Sequence, residues 1–487
     1  MYALPRLWPV TRAASGTGTV IELRYEDGTI RIDGLEESSV SPSTLRPSVP
    51  ALEADSRTDG WRVPAGSYAD LRAAIAETAL AVDDRVLDLA SVPALRSAYE
   101  LRDYQTTALE TWLATDRWAD GPALESVGRA PAGVLELPTG SGKTVIALQA
   151  IERLSVPTLV VVPTIDLLEQ WERELDREFD VPIGRFGGGE QRLEPITVST
   201  YDSAYLKADS VGDRFGCVVF DEVHHLGGEG YREIPRLLAA PARLGLTATF
   251  ERPDGAHEVI EEIVGPLVHR VDVDELAGDH LANYDVKRLA VSLTPAERAE
   301  YDRMQGIFTE YLAKSGIDMR SGSDYQELVK RSGTDPEARE ALLARQRARE
   351  LMLGSENKLE TLAGILDDHR SERTIVFTAH NDLAYDVSER FLIPTITHQT
   401  GAAERREILE RFREGTYTRI ATSNVLDEGV DVPDATVAVV LSGSGSEREF
   451  TQRLGRILRP TADGGRALLY EVVSEETGEE RVADRRR

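Results

Sequence analysis

The stretch GVLELPTGSGKT, residues 133–144, decides how this chain is read. Gly133–Leu137 is an apolar run of strand length, and a helical pattern starts at Val145. Between them Pro138, Thr139, Gly140, Ser141, Gly142, Lys143 and Thr144 form a loop of small residues that ends in Lys-Thr. Small residues let backbone N–H groups approach phosphate oxygens, and the start of the next helix favours negative charge. The pattern G-x-x-x-x-G-K-[ST] is met everywhere except its first place, which Leu137 occupies. In such a loop Lys143 reaches the β and γ phosphates and the Thr144 hydroxyl holds Mg²⁺. The expected ligands are therefore ATP and Mg²⁺.

Outward from this loop, apolar runs alternate with helical stretches from about Leu101 to Val268. GVLEL, TLVVV, ITVS, CVVF and LGLTA read as strands, with helices at Val145–Leu154 and Asp166–Glu178. This alternation implies a parallel sheet with helices on both faces. The same grammar returns from Thr374 to Glu471, in TIVFT, RIATS, TVAVVL and ALLYEV. Two such units in one chain suggest a ligand held between them. Asp221-Glu222-Val223-His224-His225 follows the run CVVF. There Asp221 can hold Mg²⁺ through water, and Glu222 can orient and deprotonate an attacking water. His224 and His225 lack further clustered ligands and are not read as a metal site. In the second unit, QRLGRILRP spans residues 452–460. Arg456 and Arg459 are three apart, so a helical turn places both on one face, where they can act on a γ phosphate.

The flanks differ in character. VIELRY, Glu26-Asp27-Gly28 and TIRIDGL read as a β-hairpin with an acidic turn, and Asp70–Ala81 is helical in pattern. Leu293–Leu353 is charged and helical, with breaks expected at Gly316, Gly322 and Gly333. In PEAREALLARQRARE, residues 336–350, Pro336 suits a first helical turn. Arg345 and Arg349 share a face there. That face reads either as a DNA contact or as a solvated surface laced with salt bridges.

Composition sets bounds. Lysine and arginine total 56 against 84 acidic residues, a net charge of −28. Such a surface repels nucleic acid unless cations are gathered locally. Only six residues are lysine: Lys143, Lys207, Lys287, Lys314, Lys330 and Lys358. An acidic, lysine-poor surface points to a salt-rich cytoplasm that screens the repulsion. Cys217 is the sole cysteine, which excludes an internal disulfide and any multi-cysteine zinc site. No run of about 18 apolar residues occurs, so no membrane span is expected. The start, MYALPRLWPV, lacks the pattern of a signal peptide, and a cytoplasmic location is expected.

The ordered set of motifs carries a family resemblance. LRDYQ (101–105), the phosphate loop, VVPT (161–164), VSTY (198–201), DEVHH, LTAT (246–249), IVFT (375–378), VLDEGVD (425–431) and QRLGRILRP occur in the order of a superfamily 2 helicase. The wording of DEVHH, LGLTATFER, VLDEGVDVPDA and SGSGSERE is similar to archaeal DNA repair helicases of the XPB type, from about residue 15 to the C-terminus. That resemblance implies an α/β fold with two RecA-like lobes, a small N-terminal α+β domain and a helical thumb-like insertion. The expected division is residues 1–85 for an N-terminal damage-recognition-like domain and 86–275 for the ATP-binding lobe. Residues 276–355 would form the connector and thumb, and 356–487 the second lobe with its tail.

The resemblance also implies roles. Arg102 and Gln105 would read adenine, while Gly429 and Asp431 would lie near the ribose and γ phosphate. Gln452 would join Arg456 and Arg459 in catalysis. Thr247 and Thr249, with Arg252 and Asp254, would couple nucleotide state to movement. Pro163, Thr164, Ser199, Thr200, Phe377 and Thr378 would line the DNA path. The family's Arg-Glu-Asp signature is Arg252-Pro253-Asp254 here, so the middle carboxylate is missing, which bears on strand separation. The implied activity is ATP-dependent 3′ to 5′ helicase action on single-stranded, forked or damaged DNA, with a nuclease as a possible partner. Duplex translocation without unwinding, and an ATP-gated damage-binding scaffold, are the alternatives.

Overall fold

The computed structural model describes residues 20–58, 60–78, 80–115, 130–138, 140–228, 230–251, 255–271, 284–319, 322–423, 435–442 and 467–479. The chain divides into two compact units: Met1–Glu136 with Thr144–Arg270, and Leu137–Lys143 with Val271–Arg487.

The first unit holds two sheets. Its N-terminal sheet comprises β1 (Val20–Glu26), β2 (Thr29–Asp33), β3 (Glu53–Ala54), β4 (Trp61–Pro64) and β5 (Ala81–Arg85), in the order β3-β4-β2-β1-β5. The expected hairpin is present as β1 and β2. Asp27 and Gly28 both take positive φ, 46° and 81°, which matches the two-residue turn that follows strand twist. Alternate residues Ile21, Leu23, Ile30 and Ile32 are fully buried. The helix expected over Asp70–Ala81 runs Tyr68–Ala76 instead, because Ala81 starts β5, which pairs in parallel with β1.

The larger sheet of this unit is built from β6 (Ala132–Glu136), β7 (Thr158–Val162), β8 (Ile183–Gly187), β9 (Glu190–Arg192), β10 (Ile196–Thr200), β11 (Cys217–Asp221), β12 (Ala242–Thr247) and β13 (Leu267–Arg270). Their order is β13-β6-β12-β11-β7-β10-β8-β9, and every pairing is parallel except β8 with β9. β6, β7, β10, β11 and β12 are buried along their whole length, as strands covered on both faces must be. Five strands read from the sequence fall here within a residue or two of their expected ends. Cys217 is fully buried, and burial pushes its thiol up to about 12.

The second unit carries a fully parallel six-stranded sheet: β14 (Tyr284–Val291), β15 (Thr374–Phe377), β16 (Thr395–Ile396), β17 (Arg419–Thr422), β18 (Val437–Val440) and β19 (Ala467–Ser474). The order is β14-β19-β18-β15-β17-β16. Among the described residues four helices stand between β14 and β15, and the first three, Pro295–Ser315, Gly322–Ser332 and Pro336–Leu353, precede Glu356–Asp368. Thr294 and Glu297 cap the first reciprocally, and Gly316 ends it in the left-handed region at φ 69°. Asp335 caps the third, with Pro336 in its first turn. Gly322, expected as a break, is instead the first residue of the middle helix, where a glycine is cheap. Phe308, Tyr311, Leu328, Ala338 and Ala341 form the small core that joins the three. No helix among the described residues is long and apolar enough to cross a membrane.

Candidate nucleotide site and its coupling to the sheet

β6, β12 and β11 lie side by side and parallel, with Glu136 opposite Thr247 and Leu246 opposite Asp221. The phosphate-loop, Thr-Ala-Thr and Asp-Glu motifs therefore leave from one carboxyl edge, which is where open α/β sheets bind ligands. The loop after β6 needs left-handed backbone twice, at Gly140 (φ 79°) and Gly142 (φ 80°), where a side chain would be strained. Ser141 and Lys143 are buried, and Lys143 Nζ donates to the Leu137 carbonyl at 3.2 Å. That bond folds the lysine back over its own loop. Thr144 is the second residue of the helix Lys143–Leu154.

Asp221 ends β11 and is buried. Its Oδ2 accepts from the Trp171 indole at 2.8 Å, and its Oδ1 accepts from the Glu222 backbone N–H at 3.1 Å. The carboxylate is thereby fixed in direction. The Tyr201 hydroxyl donates to the Asp221 carbonyl at 3.0 Å, bracing the strand end from the helix after β10. Glu222 follows in the left-handed region, φ 49° and ψ 54°. A non-glycine residue there costs roughly 1–2 kcal/mol, and such strain concentrates at functional sites.

From Glu222 a polar chain leads to the next strand. His224 Nδ1 lies 3.6 Å from Glu222 Oε2 and 3.1 Å from Thr247 Oγ1. The Thr247 hydroxyl donates to the Thr249 carbonyl at 2.9 Å, and the Thr249 N–H donates back to it at 3.1 Å. The structure thus brings together Glu222, Thr247 and Thr249 through His224, which the sequence reading considered only as a metal ligand. Its place two residues after Glu222 was the available signal. His225 stacks on His224 at 4.7 Å and packs against Tyr201. Among the described residues no three His, Cys, Asp or Glu side chains are grouped as a metal site.

Other expected residues take more structural positions. Gln105 is buried, and its Oε1 accepts the Arg102 N–H at 2.9 Å, closing the first turn of the helix Asp103–Leu113. Thr164 and Thr200 cap their helices, accepting from Leu167 and Ser203 N–H at 3.2 Å each. Pro163 is half-buried beside Thr164. Ser199 is fully buried with its hydroxyl on the Thr200 carbonyl, so it shapes the loop rather than lining a surface. Phe377 is half-buried, and the Thr378 hydroxyl lies within reach of the His380 and Thr422 carbonyls. Arg345 does not point outward as its helical spacing suggested. It is half-buried, its guanidinium 4.7 Å from the Tyr325 ring and 5.7 Å from that of Phe308, and burial lowers its pKa. Arg349 is exposed. Thr139, Arg252, Asp254, Gly429, Asp431, Gln452, Arg456 and Arg459 lie outside the described residues.

Comparison with known proteins fits this geometry. Family models match in three places: residues 23–86 to the xeroderma pigmentosum group B helicase damage recognition domain, 98–252 to the type III restriction enzyme res subunit, and 340–487 to the ERCC3/RAD25/XPB C-terminal helicase. The chain is 43% identical over 438 residues to the DNA 3'-5' translocase XPB2 of Sulfurisphaera tokodaii, covering 90% of this chain and 96% of that one. It is 32% identical to the putative DNA 3'-5' helicase Rad25 of Halobacterium salinarum, covering 87% of this chain but 62% of that longer one. The Pyrococcus furiosus Hef helicase domain shares the fold, with a TM-score of 0.51 at 18% identity, covering 78% of this chain and 97% of that structure. On the extent and identity of these matches, the chain belongs to the XPB family of helicases.

Proposed function

We propose that this chain is an ATP-dependent DNA helicase or translocase that moves 3′ to 5′, in repair or in opening DNA for transcription. One observation carries the reading: a strained Glu222 stands beside a buried, doubly oriented Asp221, and His224 ties it to the Thr-Ala-Thr turn. Glu222 takes the proton of the attacking water. Lys143 leaves the Leu137 carbonyl for the β and γ phosphates. Arg102 and Gln105 bind adenine, and Gly429 and Asp431 lie at the ribose and γ phosphate. Gln452, Arg456 and Arg459 act on the γ phosphate from the second lobe. Thr247 and Thr249, with Arg252 and Asp254, pass the change in nucleotide state to the DNA path at Pro163, Thr164, Thr200, Phe377 and Thr378, with Ser199 beneath it.

Thr144 and Asp221 offer a hydroxyl and a carboxylate, hard oxygen donors that suit Mg²⁺. When bound, that ion neutralises charge on the β and γ phosphate oxygens. The division at residues 85, 275 and 355 belongs to the same proposal, as do a cytoplasmic location, a nuclease partner and a salt-loving archaeal host. The acidic composition and the 32% identity to a Halobacterium protein support the host.

The test compares ATPase rates with single-stranded DNA, duplex, fork and RNA, alongside strand displacement on the fork. Stimulation by DNA over RNA, with displacement, is expected. A second reading, duplex translocation without unwinding, is favoured by the name of the relative at 43% identity and by Pro253 in place of the signature's acid. DNA-stimulated ATPase without displacement would select it.

A further inference from the structure

The N-terminal domain is seated on the first lobe through specific contacts. Burial pushes the Tyr25 hydroxyl's pKa well up, and that hydroxyl lies 2.7 Å from the Asp209 carbonyl and 3.0 Å from that of Leu237. The β1–β2 turn rests on the Leu237 side chain at Gly28. Gly66 lies so near the backbone of Pro235 and Arg236 that a Cβ would meet the Pro235 carbonyl at 2.7 Å and the Arg236 Cα at 3.0 Å. Under this seat runs Arg243, the second residue of β12, buried in spite of its charge. Its guanidinium binds carbonyls from separate segments: Gly66 of the N-terminal domain at 2.9 Å, Leu238 at 3.3 Å, Ala240 at 3.2 Å, and Ile263. Its own carbonyl accepts the Trp112 indole N–H at 3.0 Å, from the helix Asp103–Leu113 that carries Gln105 in its first turn. Four residues on, the same strand ends at Thr247, which meets His224.

We infer that Arg243 is a positioning residue that couples the seating of the N-terminal domain to the ATPase site. Rigid, fully packed strands transmit displacement rather than absorb it. At about 3.3 Å per residue, β12 carries a shift from Arg243 to Thr247 over ~13 Å. DNA bound by the N-terminal domain would then bias the geometry of Thr247, His224 and Glu222. This rests on the ATPase reading above.

The test uses the full chain with Gly66→Ala, Tyr25→Phe, Arg243→Gln and Arg243→Lys. Hydrogen exchange is followed at β1–β2 and at Leu246–Thr249, with KM for ATP and kcat measured with and without forked DNA. Gly66→Ala lies far from the nucleotide motifs, and its clash is with backbone that cannot rotate away. It should speed exchange at β1–β2 and also at Leu246–Thr249. DNA-stimulated kcat should fall about five-fold, with basal kcat and KM within two-fold of wild type. Arg243→Gln should act in the same way, Tyr25→Phe more weakly, and Arg243→Lys should recover part of the loss by keeping a charged donor. Faster exchange confined to β1–β2, with DNA stimulation intact, would overturn the coupling. So would an Arg243→Gln variant that lowers basal and stimulated rates equally, because that is a structural role alone. If the wild-type chain hydrolyses no ATP, the functional proposal fails, while the exchange at Leu246–Thr249 still decides the coupling.

Discussion

Replacing Glu222 separates chemistry from stability, because its backbone is strained and the proposed function gives it the proton transfer. Glu222→Gln keeps the volume, the φ of 49° and an acceptor near His224, so folding and ATP binding should be unchanged. Only the base is lost, and a positioned base contributes about 10²–10⁴-fold. Turnover should fall by that range with KM for ATP within about two-fold. Glu222→Gly removes the base as well as the strain. Relief of roughly 1–2 kcal/mol of left-handed strain is set against about 0.5–1 kcal/mol of extra chain entropy for glycine. The net is a stabilisation of up to about 1.5 kcal/mol, at about 2–4 °C in Tm per kcal/mol for a unit of this size. The assay is steady-state phosphate release beside differential scanning calorimetry on the same preparations. A Gln variant near the wild-type rate would refute the base assignment. A Gly variant melting several degrees lower would refute the account of strain.

Lys143→Ala should abolish measurable turnover and weaken ATP binding, read by titration with a fluorescent nucleotide, with Tm little changed. Lys358 is fully buried and donates to Glu479 and the Leu441 carbonyl at 2.6 and 2.7 Å. Lys358→Met should therefore destabilise the second unit by about 3–5 kcal/mol by leaving Glu479 buried, and adding Glu479→Leu should recover much of that in urea melts. Arg349→Glu should weaken DNA binding to a similar degree on unrelated sequences and lower the salt slope by about one, with DNA-free ATPase intact; an unchanged Kd on forked DNA would return this helix to a solvated face. DNA-stimulated ATPase and Tm should both rise from the 0.1 M range to molar KCl as the Debye length falls from ~10 to ~3 Å, and a steady decline with salt would sink the salt-loving reading.

How much of this was written in the sequence depends on whether a feature is local. The fully buried strands TLVVV, ITVST and CVVFD, and the helix Ile165–Glu178 between the first two, were legible because burial on both faces leaves an unbroken apolar run with polar punctuation. The phosphate loop was legible because two glycines and a lysine must be adjacent in sequence to surround a phosphate. β5 and β14 were missed, since both pair in parallel with strands remote in the chain and neither carries a clean alternation. Parallel pairing needs a distant partner, and no window of residues contains it.

The site divides in the same way. Asp221 and Glu222 could be read, but not the Trp171 indole that orients Asp221 from 50 residues away. Arg345 shows the opposite failure. Its spacing from Arg349 was read correctly as a shared face, yet a face has no fixed destination until another helix packs on it. Tyr325 and Phe308 arrive from the two neighbouring helices and turn the nearer arginine inward over their rings, where a cation and two aromatic faces attract. Only Arg349 is left exposed. A charge-reversal of both residues would therefore mix lost packing with lost phosphate contact. The single substitution is the one whose result bears on DNA.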